Sequence, residues 1–367
     1  MSTIAIFTGD EGHLSIAQAV AAALEAKHTV KIFFHRGIEL DLYAYAYRYL
    51  PAAYGTIYNL SRNSSPNSVN ALGVKILTAN RKKTINKFLA ETKPDLCIST
   101  YWLFNTMLAE YRSKTGAPFI NVLTDPWTIH PAGVSLEADL QLAFDARALT
   151  QANQFTPEVN NQAVGWFVRP EFQPLKTSQK LLRQDLGLED MFTMLVNSGS
   201  EGSNMVLMLV PALISPPKPI QVVITCGHNK QLLALTKQLA RLLRSLKSPV
   251  KLVTLPFTTK MAEYIQAADL VVGKAGPNSL FETVAIQKPF VAITHVPGQE
   301  DANLDLIKHY QLGFVEENPL KIKKLLTKLI KSPKHLTKLQ AKIKAMAEFN
   351  AAAPSNLSKL VQNLLKK

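Results

Sequence analysis

Eleven apolar runs of four to six residues, separated by longer segments of helical spacing, recur along this 367-residue chain. In the first half they are Ile4–Thr8, Val30–His35, Leu96–Ser99, Phe119–Leu123, Leu140–Phe144 and Ala163–Val168. In the second half they are Phe192–Asn197, Gln221–Thr225, Lys251–Leu255, Leu270–Gly273 and Phe290–Thr294. Most are continuously apolar rather than alternating, as parallel strands buried on both faces require. Helical segments intervene, among them His13–Lys27, Val69–Glu91, Lys230–Leu246, Leu304–Tyr310 and Leu320–Ile330. This repeated βα order restricts the chain to an α/β fold, with parallel sheets flanked by helices.

The order is also doubled. Each half opens with a strand, a Gly-bearing loop and a helix: Thr8-Gly9-Asp10-Glu11-Gly12-His13 in one, Asn197-Ser198-Gly199-Ser200-Glu201-Gly202-Ser203 in the other. Two tandem Rossmann-like domains facing a cleft are the economical arrangement, and the length exceeds what one core usually supports. The expected boundaries are 1–166, a linker at 167–176 marked by Pro170 and Pro174, 177–332, and basic C-terminal helices at 333–367. Having no strand after them, those last helices either pack outside the second sheet or cross back to the first domain.

A hydrophobic content of 47% fits a globular chain. Cys97 and Cys226 sit in apolar runs and read as reduced core cysteines of a cytosolic protein. The N-terminus reads as a first strand rather than a signal peptide, and the greasiest stretch, Met205–Pro217, is too short to span a bilayer. The formal net charge of +14 is uneven: residues 1–170 hold 15 basic and 13 acidic side chains, whereas residues 320–367 hold twelve lysines and one acid, Glu348. Such a stripe is open to three readings: a solvated face, an anionic membrane surface or a nucleic acid. The lack of interleaved aromatics and arginines argues against nucleic acid.

Residues 274–303 carry the most chemistry. A buried run ending at Gly273 leads into the small-residue turn Ala275-Gly276-Pro277 and a helix expected to begin at Asn278 or Ser279. Strand, glycine turn and helix N-terminus make an anion site, because backbone N–H groups and the helix dipole converge there. Glu282 repels phosphate but accepts hydrogen bonds from sugar hydroxyls. Gln299, Glu300 and Asn303 add side chains suited to a polyhydroxylated ligand, so the segment reads as a nucleotide-sugar pocket. Across the chain, His13 at a helix start is the leading general base. Its bland alternative is a capping or solvent-exposed histidine. Asp125 is the rival base or an orienter, or else a turn former before Pro126; His130 is a weaker candidate.

These residues resemble nucleotide-sugar glycosyltransferases of the two-Rossmann (GT-B) architecture. The resemblance is to the monogalactosyl- and processive glucosyl-diacylglycerol synthases of glycosyltransferase family 28, related to the N-acetylglucosaminyltransferase of the peptidoglycan precursor. It is carried by Pro256-Phe257-Thr258 with Met261, Ala267-Ala268-Asp269, Lys274-Ala275-Gly276-Pro277 with Glu282, and Pro297-Gly298-Gln299-Glu300 with Asn303. Gly165 to Phe172 resembles the family's hinge, and Cys226-Gly227-His228-Asn229 a turn of its second domain. Softer matches are Gly12-His13, Tyr47 to Asn59, and Thr124-Asp125 with His130, so the likeness covers residues 1–320. The chain departs from the pattern at Asp10 and Glu11, which replace two glycines of the first loop.

The resemblance implies an inverting transfer of a hexose from a UDP-sugar to a lipid, diacylglycerol or a glycosyl-diacylglycerol. It implies no metal or cofactor, and a peripheral place at the cytoplasmic face of the membrane. Ser198, Gly199, Gly202 and the Gly276, Pro277, Asn278, Ser279 helix start would serve the diphosphate, and Gly12 would contact the nucleotide-sugar. Phe257 and Thr258 would border the base, Glu282 the ribose, and Gln299, Glu300 and Asn303 the sugar. The Leu40–Leu60 stretch, with six tyrosines between Tyr43 and Tyr58, reads either as a core helix and loop or as an interfacial element admitting the lipid. Transfer to another acceptor, epimerisation of a UDP-sugar, and binding without turnover remain compatible with the same residues.

Overall fold

Ten of the eleven apolar runs, with two three-residue strands, form two six-stranded sheets in which every neighbouring pair is parallel. The structure, a computed structural model, describes residues 1–9, 11–35, 37, 45, 50–62, 81–199 and 205–366. The chain divides into two units. The first is Met1–Pro170 with Pro297–Ala302 and Phe349–Lys367; the second is Glu171–Val296 with Asn303–Glu348.

In the first unit the strands are β1 (Thr3–Thr8), β2 (Thr29–Phe34), β3 (Leu96–Ser99), β4 (Phe119–Val122), β5 (Leu140–Ala143) and β6 (Asn161–Ala163), in the order β2-β1-β3-β4-β5-β6. Their apolar residues are buried on both faces except at the edge, where β2 exposes Ile32 and Phe34. The chain goes from β1 outward to β2 and returns on the other side of β1 to form β3, with Phe7 opposite Ser99. Ligands in open α/β sheets sit beyond the carboxyl ends of the strands at such a reversal. The helix Glu11–Leu24 starts there and buries Ile16, Ala17, Val20 and Leu24.

The second unit repeats the plan with β7 (Thr193–Asn197), β8 (Ile220–Thr225), β9 (Val250–Leu255), β10 (Leu270–Lys274), β11 (Phe290–Thr294) and β12 (Gly313–Val315), in the order β12-β11-β10-β7-β8-β9. Its reversal lies between β7 and β10, where Asn197 is opposite Gly273. A Cβ on Gly273 would stand 3.0 Å from the Phe290 ring and 3.3 Å from the Asn197 carbonyl, so only glycine lets these strands close up.

Four expectations are corrected. The run Ala163–Val168 is not the sixth strand, which is Asn161–Ala163; Gly165 turns at φ +96° and sends Trp166 and Phe167 into the core. β12 was not anticipated, since three residues at a sheet edge give no recognisable run. The helix of residues 277–285 begins at Pro277, one or two residues early, because proline's fixed φ suits the first helical position. Of the expected helix Val69–Glu91, Lys82–Thr92 is helical and residues 63–80 lie outside the described residues. The basic tail takes both expected routes. Residues 333–348 belong to the second unit and Phe349–Lys367 to the first, where the Trp166 N–H donates to Asn350 Oδ1 at 2.9 Å.

Candidate active site

In the first unit the helix starts at Glu11, so Gly12 and His13 lie in its first turn rather than in a preceding loop. His13 Nδ1 is 2.8 Å from the Thr100 carbonyl. A carbonyl only accepts, so Nδ1 carries the proton and the lone pair of the neutral ring is on Nε2. Burial pushes the imidazole down to about 4, and the bond to Thr100 opposes this only in part. The Tyr101 ring packs 4.7 Å from the imidazole, and a Cβ at Gly9 would lie 2.8 Å from that ring. The Thr100 hydroxyl donates to Thr8 Oγ1 at 2.9 Å, tying the β3 end to the β1 end. His13 is therefore oriented by a backbone carbonyl at Nδ1, not by the carboxylate of Asp125.

Asp125 belongs to a second cluster. Its Oδ1 accepts from Gln299 Nε2 at 3.1 Å, and Gln299 Oε1 accepts from the Tyr54 hydroxyl at 3.5 Å. Tyr54 sits on the helix Pro51–Arg62, which exposes Ile57 and Leu60; Leu50 is exposed just before it. Tyr43, Tyr47 and Tyr49 lie outside the described residues. Gly298, at φ +82°, would bring a Cβ within 3.0 Å of Tyr58, so the turn needs glycine twice over. Burial, then Asp125, raise the Tyr58 phenol well above its ordinary range, and its hydroxyl donates to the Thr128 carbonyl.

His130 is committed to structure. Its Nδ1 accepts the Ala132 N–H at 3.1 Å, so Nε2 bears the proton and donates to Ser61 Oγ at 3.0 Å. Burial, then Arg62, push it down to about 4. Because the folded values of His13 and His130 lie below the unfolded 6.5, the unfolded chain binds more protons between pH 6.5 and 4. Stability from this source is complete above pH 6.5 and is lost as pH falls through that window. Discounting for partial exposure, the pair should cost roughly 3 kcal/mol by pH 4. Urea unfolding across the window should show a shallower slope in His130→Gln; an unchanged slope would remove His130 as a contributor.

In the second unit, Gly276 caps the helix Pro277–Ala285. Pro277, Asn278 and Ser279 form the first turn of that helix, where the positive end of the dipole favours an anion. Asn197 Nδ2 donates to Ser279 Oγ at 3.3 Å, and Asn197 Oδ1 accepts the Gly199 N–H at 3.1 Å. One carboxamide thus ties the loop after β7 to the helix start. The Ser198 hydroxyl donates to the Thr225 carbonyl, so its proton serves the loop and not a phosphate. Gly202 lies outside the described residues. Glu282 is buried, at 8% exposure, on the same helix. Asn303 Nδ2 donates to the Ala275 carbonyl at 2.8 Å, while its buried Oδ1 has no partner. Glu300, in the first unit, is buried too. Phe257 is not a core residue: it is half exposed and stacks on His228, with ring centroids 4.3 Å apart. Thr258 Oγ1 accepts the Lys260 N–H locally. Among the described residues no group of three His, Cys, Asp or Glu is placed to hold a metal.

Thr100, Tyr101 and Asn197 were not singled out in the sequence. Each stands at the carboxyl end of a strand flanking a reversal, and that position was the available signal.

Residues 193–359 match the glycosyltransferase family 28 C-terminal domain, and residues 13–151 match the monogalactosyldiacylglycerol (MGDG) synthase family. MGDG synthase 2, chloroplastic, of Arabidopsis thaliana is 27% identical over 279 residues, covering 70% of this chain and 56% of that protein. The processive diacylglycerol beta-glucosyltransferase of Bacillus licheniformis is 25% identical over 274 residues, 74% of this chain and 69% of its own. The chain thus spans little more than half the length of the plant relative. Among solved structures, Anabaena Alr3699/HepE in complex with UDP gives a TM-score of 0.60 at 17% identity, with 100% of both chains covered. The two sheets and this likeness define the class, a GT-B fold. Within that class the chain is similar to the family 28 glycosyltransferases over residues 193–359 and resembles the MGDG synthases.

Proposed function

We propose that this protein is an inverting glycosyltransferase that moves a hexose from a UDP-sugar to a diacylglycerol-type lipid at a membrane surface. The observation that carries the proposal is the His13 tautomer: Nδ1–H is held by Thr100, which leaves a neutral Nε2 at the end of β1 to take a proton. In the reaction the acceptor hydroxyl gives its proton to Nε2, and its oxygen bonds to the anomeric carbon as the bond to the diphosphate breaks. The charge developing on UDP meets the first turn of the helix Pro277–Ala285 and the positive end of its dipole. Glu282 accepts from the ribose hydroxyls, and Phe257 borders the base. The unpartnered Asn303 Oδ1 accepts a hydroxyl of the sugar, and Gln299 and Glu300 are assigned to the sugar as well.

The names of the relatives support the lipid acceptor, and the UDP complex of a GT-B neighbour supports the donor. Among the described residues no helix is long and apolar enough to cross a membrane, which is compatible with a peripheral place at the cytoplasmic face. Purified protein given a panel of UDP-hexoses should release UDP only when diacylglycerol or a glycosyl-diacylglycerol is present. Release at the same rate without lipid would point to hydrolysis and overturn the acceptor assignment.

A further inference from the structure

One layer of helices in the second unit has a composition that sugar transfer does not use. Val206–Ile214, Lys230–Ser245 and Pro319–Lys331 bury Leu209, Leu213, Leu239, Leu243, Ile322 and Leu326 in one core against the same face of the sheet. Their outer sides therefore belong to one surface. Val206–Ile214 contains no polar side chain, yet Leu207 and Ile214 are 50% and 42% exposed. It packs directly against Pro319–Lys331. That helix and Lys230–Ser245 carry nine basic residues and no carboxylate. Lys321, Lys324 and Lys328 are exposed and lie three and four residues apart, which aligns them on one face. Leu242 and Leu320, 49% and 73% exposed, add apolar surface among the cations.

This charge is not explained by helix stability. Lys321, Lys323 and Lys324 occupy the first turns of their helix, where the dipole disfavours cations, and no carboxylate at i+4 offsets them. The helices whose buried residues lie outside this core, Gln179–Asp185, Met261–Ala267, Pro277–Ala285 and Asp301–His309, each carry an acid. The asymmetry is therefore within the unit and not a property of the whole chain.

We propose that this layer is a docking surface for an anionic phospholipid bilayer, the lysines and arginines meeting the headgroups and the exposed Leu207 and Ile214 entering the interface. It rests on the function proposed above only in supposing a membrane to dock to; the transfer chemistry plays no part. Exposed aliphatics and the absence of aromatics among the cations favour lipid over nucleic acid.

The test is flotation of the full chain, without sugar donor, on vesicles of phosphatidylcholine alone or mixed with phosphatidylglycerol. Binding is expected on the anionic vesicles only, and to fall as salt rises. Lys321→Gln/Lys324→Gln/Lys328→Gln should lower the partition on the order of 100-fold. Leu207→Gln/Ile214→Gln should weaken it with the salt dependence unchanged. Lys83→Gln/Lys87→Gln/Lys114→Gln removes the same charge from the first unit and should leave binding intact. Equal binding by the first variant, an equal loss in the control, or displacement of vesicles by an oligonucleotide overturns the proposal. Transfer to a detergent-dispersed lipid should persist in the surface variants. Its absence from the wild type would count against the proposed function and leave the flotation result standing.

Discussion

Replacing His13 with alanine is expected to abolish lipid-dependent transfer while UDP still binds. Removing a positioned general base costs about 10²–10⁴-fold in turnover, whereas the nucleotide is proposed to bind in the second unit. The bond between Nδ1 and Thr100 fixes which nitrogen is free, so geometry as well as chemistry is lost. The wild-type pH profile carries a second expectation. Because burial holds the imidazole at about 4, the ring is already neutral at mildly acidic pH, and the acid limb of turnover should fall near 4 instead of near 6.5. Steady-state rates with diacylglycerol, alongside calorimetric UDP binding, check both. Near-normal turnover in His13→Ala would remove His13 as the base.

Glu282→Ala should act on the other substrate. A hydrogen bond to a charged carboxylate contributes about 1.5–3 kcal/mol, so the dissociation constant for UDP should rise by roughly 10–100-fold. Glu282→Gln keeps the shape and loses the charge, and should fall between the two. Since Glu282 is buried, thermal unfolding of each variant is needed beside the titration. A well-folded Glu282→Ala that binds UDP as the wild type does would take the ribose role away from this residue.

Much of the fold was legible because parallel strands buried on both faces leave continuous apolar runs. Leu96–Ser99 and Phe290–Thr294 were placed without error for that reason. β12 and the displaced β6 were not, since each is three residues long and is set by pairing to its neighbour rather than by its own composition. The strand, turn and helix order around Gly276 was legible from its turn residues, although the helix begins at Pro277 and not at Asn278 or Ser279. The partners that orient the site were not. Thr100 holds His13 through a main-chain carbonyl 87 residues away, and Asn197 reaches Ser279 across 82. A carbonyl has no sequence signature, and a lone Asn ending a strand has a weak one. Phe257 was assigned to the base through the resemblance, and its exposure and its stack on His228 came only from the structure.

Direct displacement by this one chain would join the hexose of a UDP-sugar to a lipid. It is tested most directly by isolating the lipid product formed from an α-linked UDP-hexose and diacylglycerol, then measuring its mass and its anomeric configuration by NMR. A single hexose added per UDP released in the first turnover, joined by a β linkage, is the expected product. An α linkage, or free hexose with no glycolipid, would contradict it.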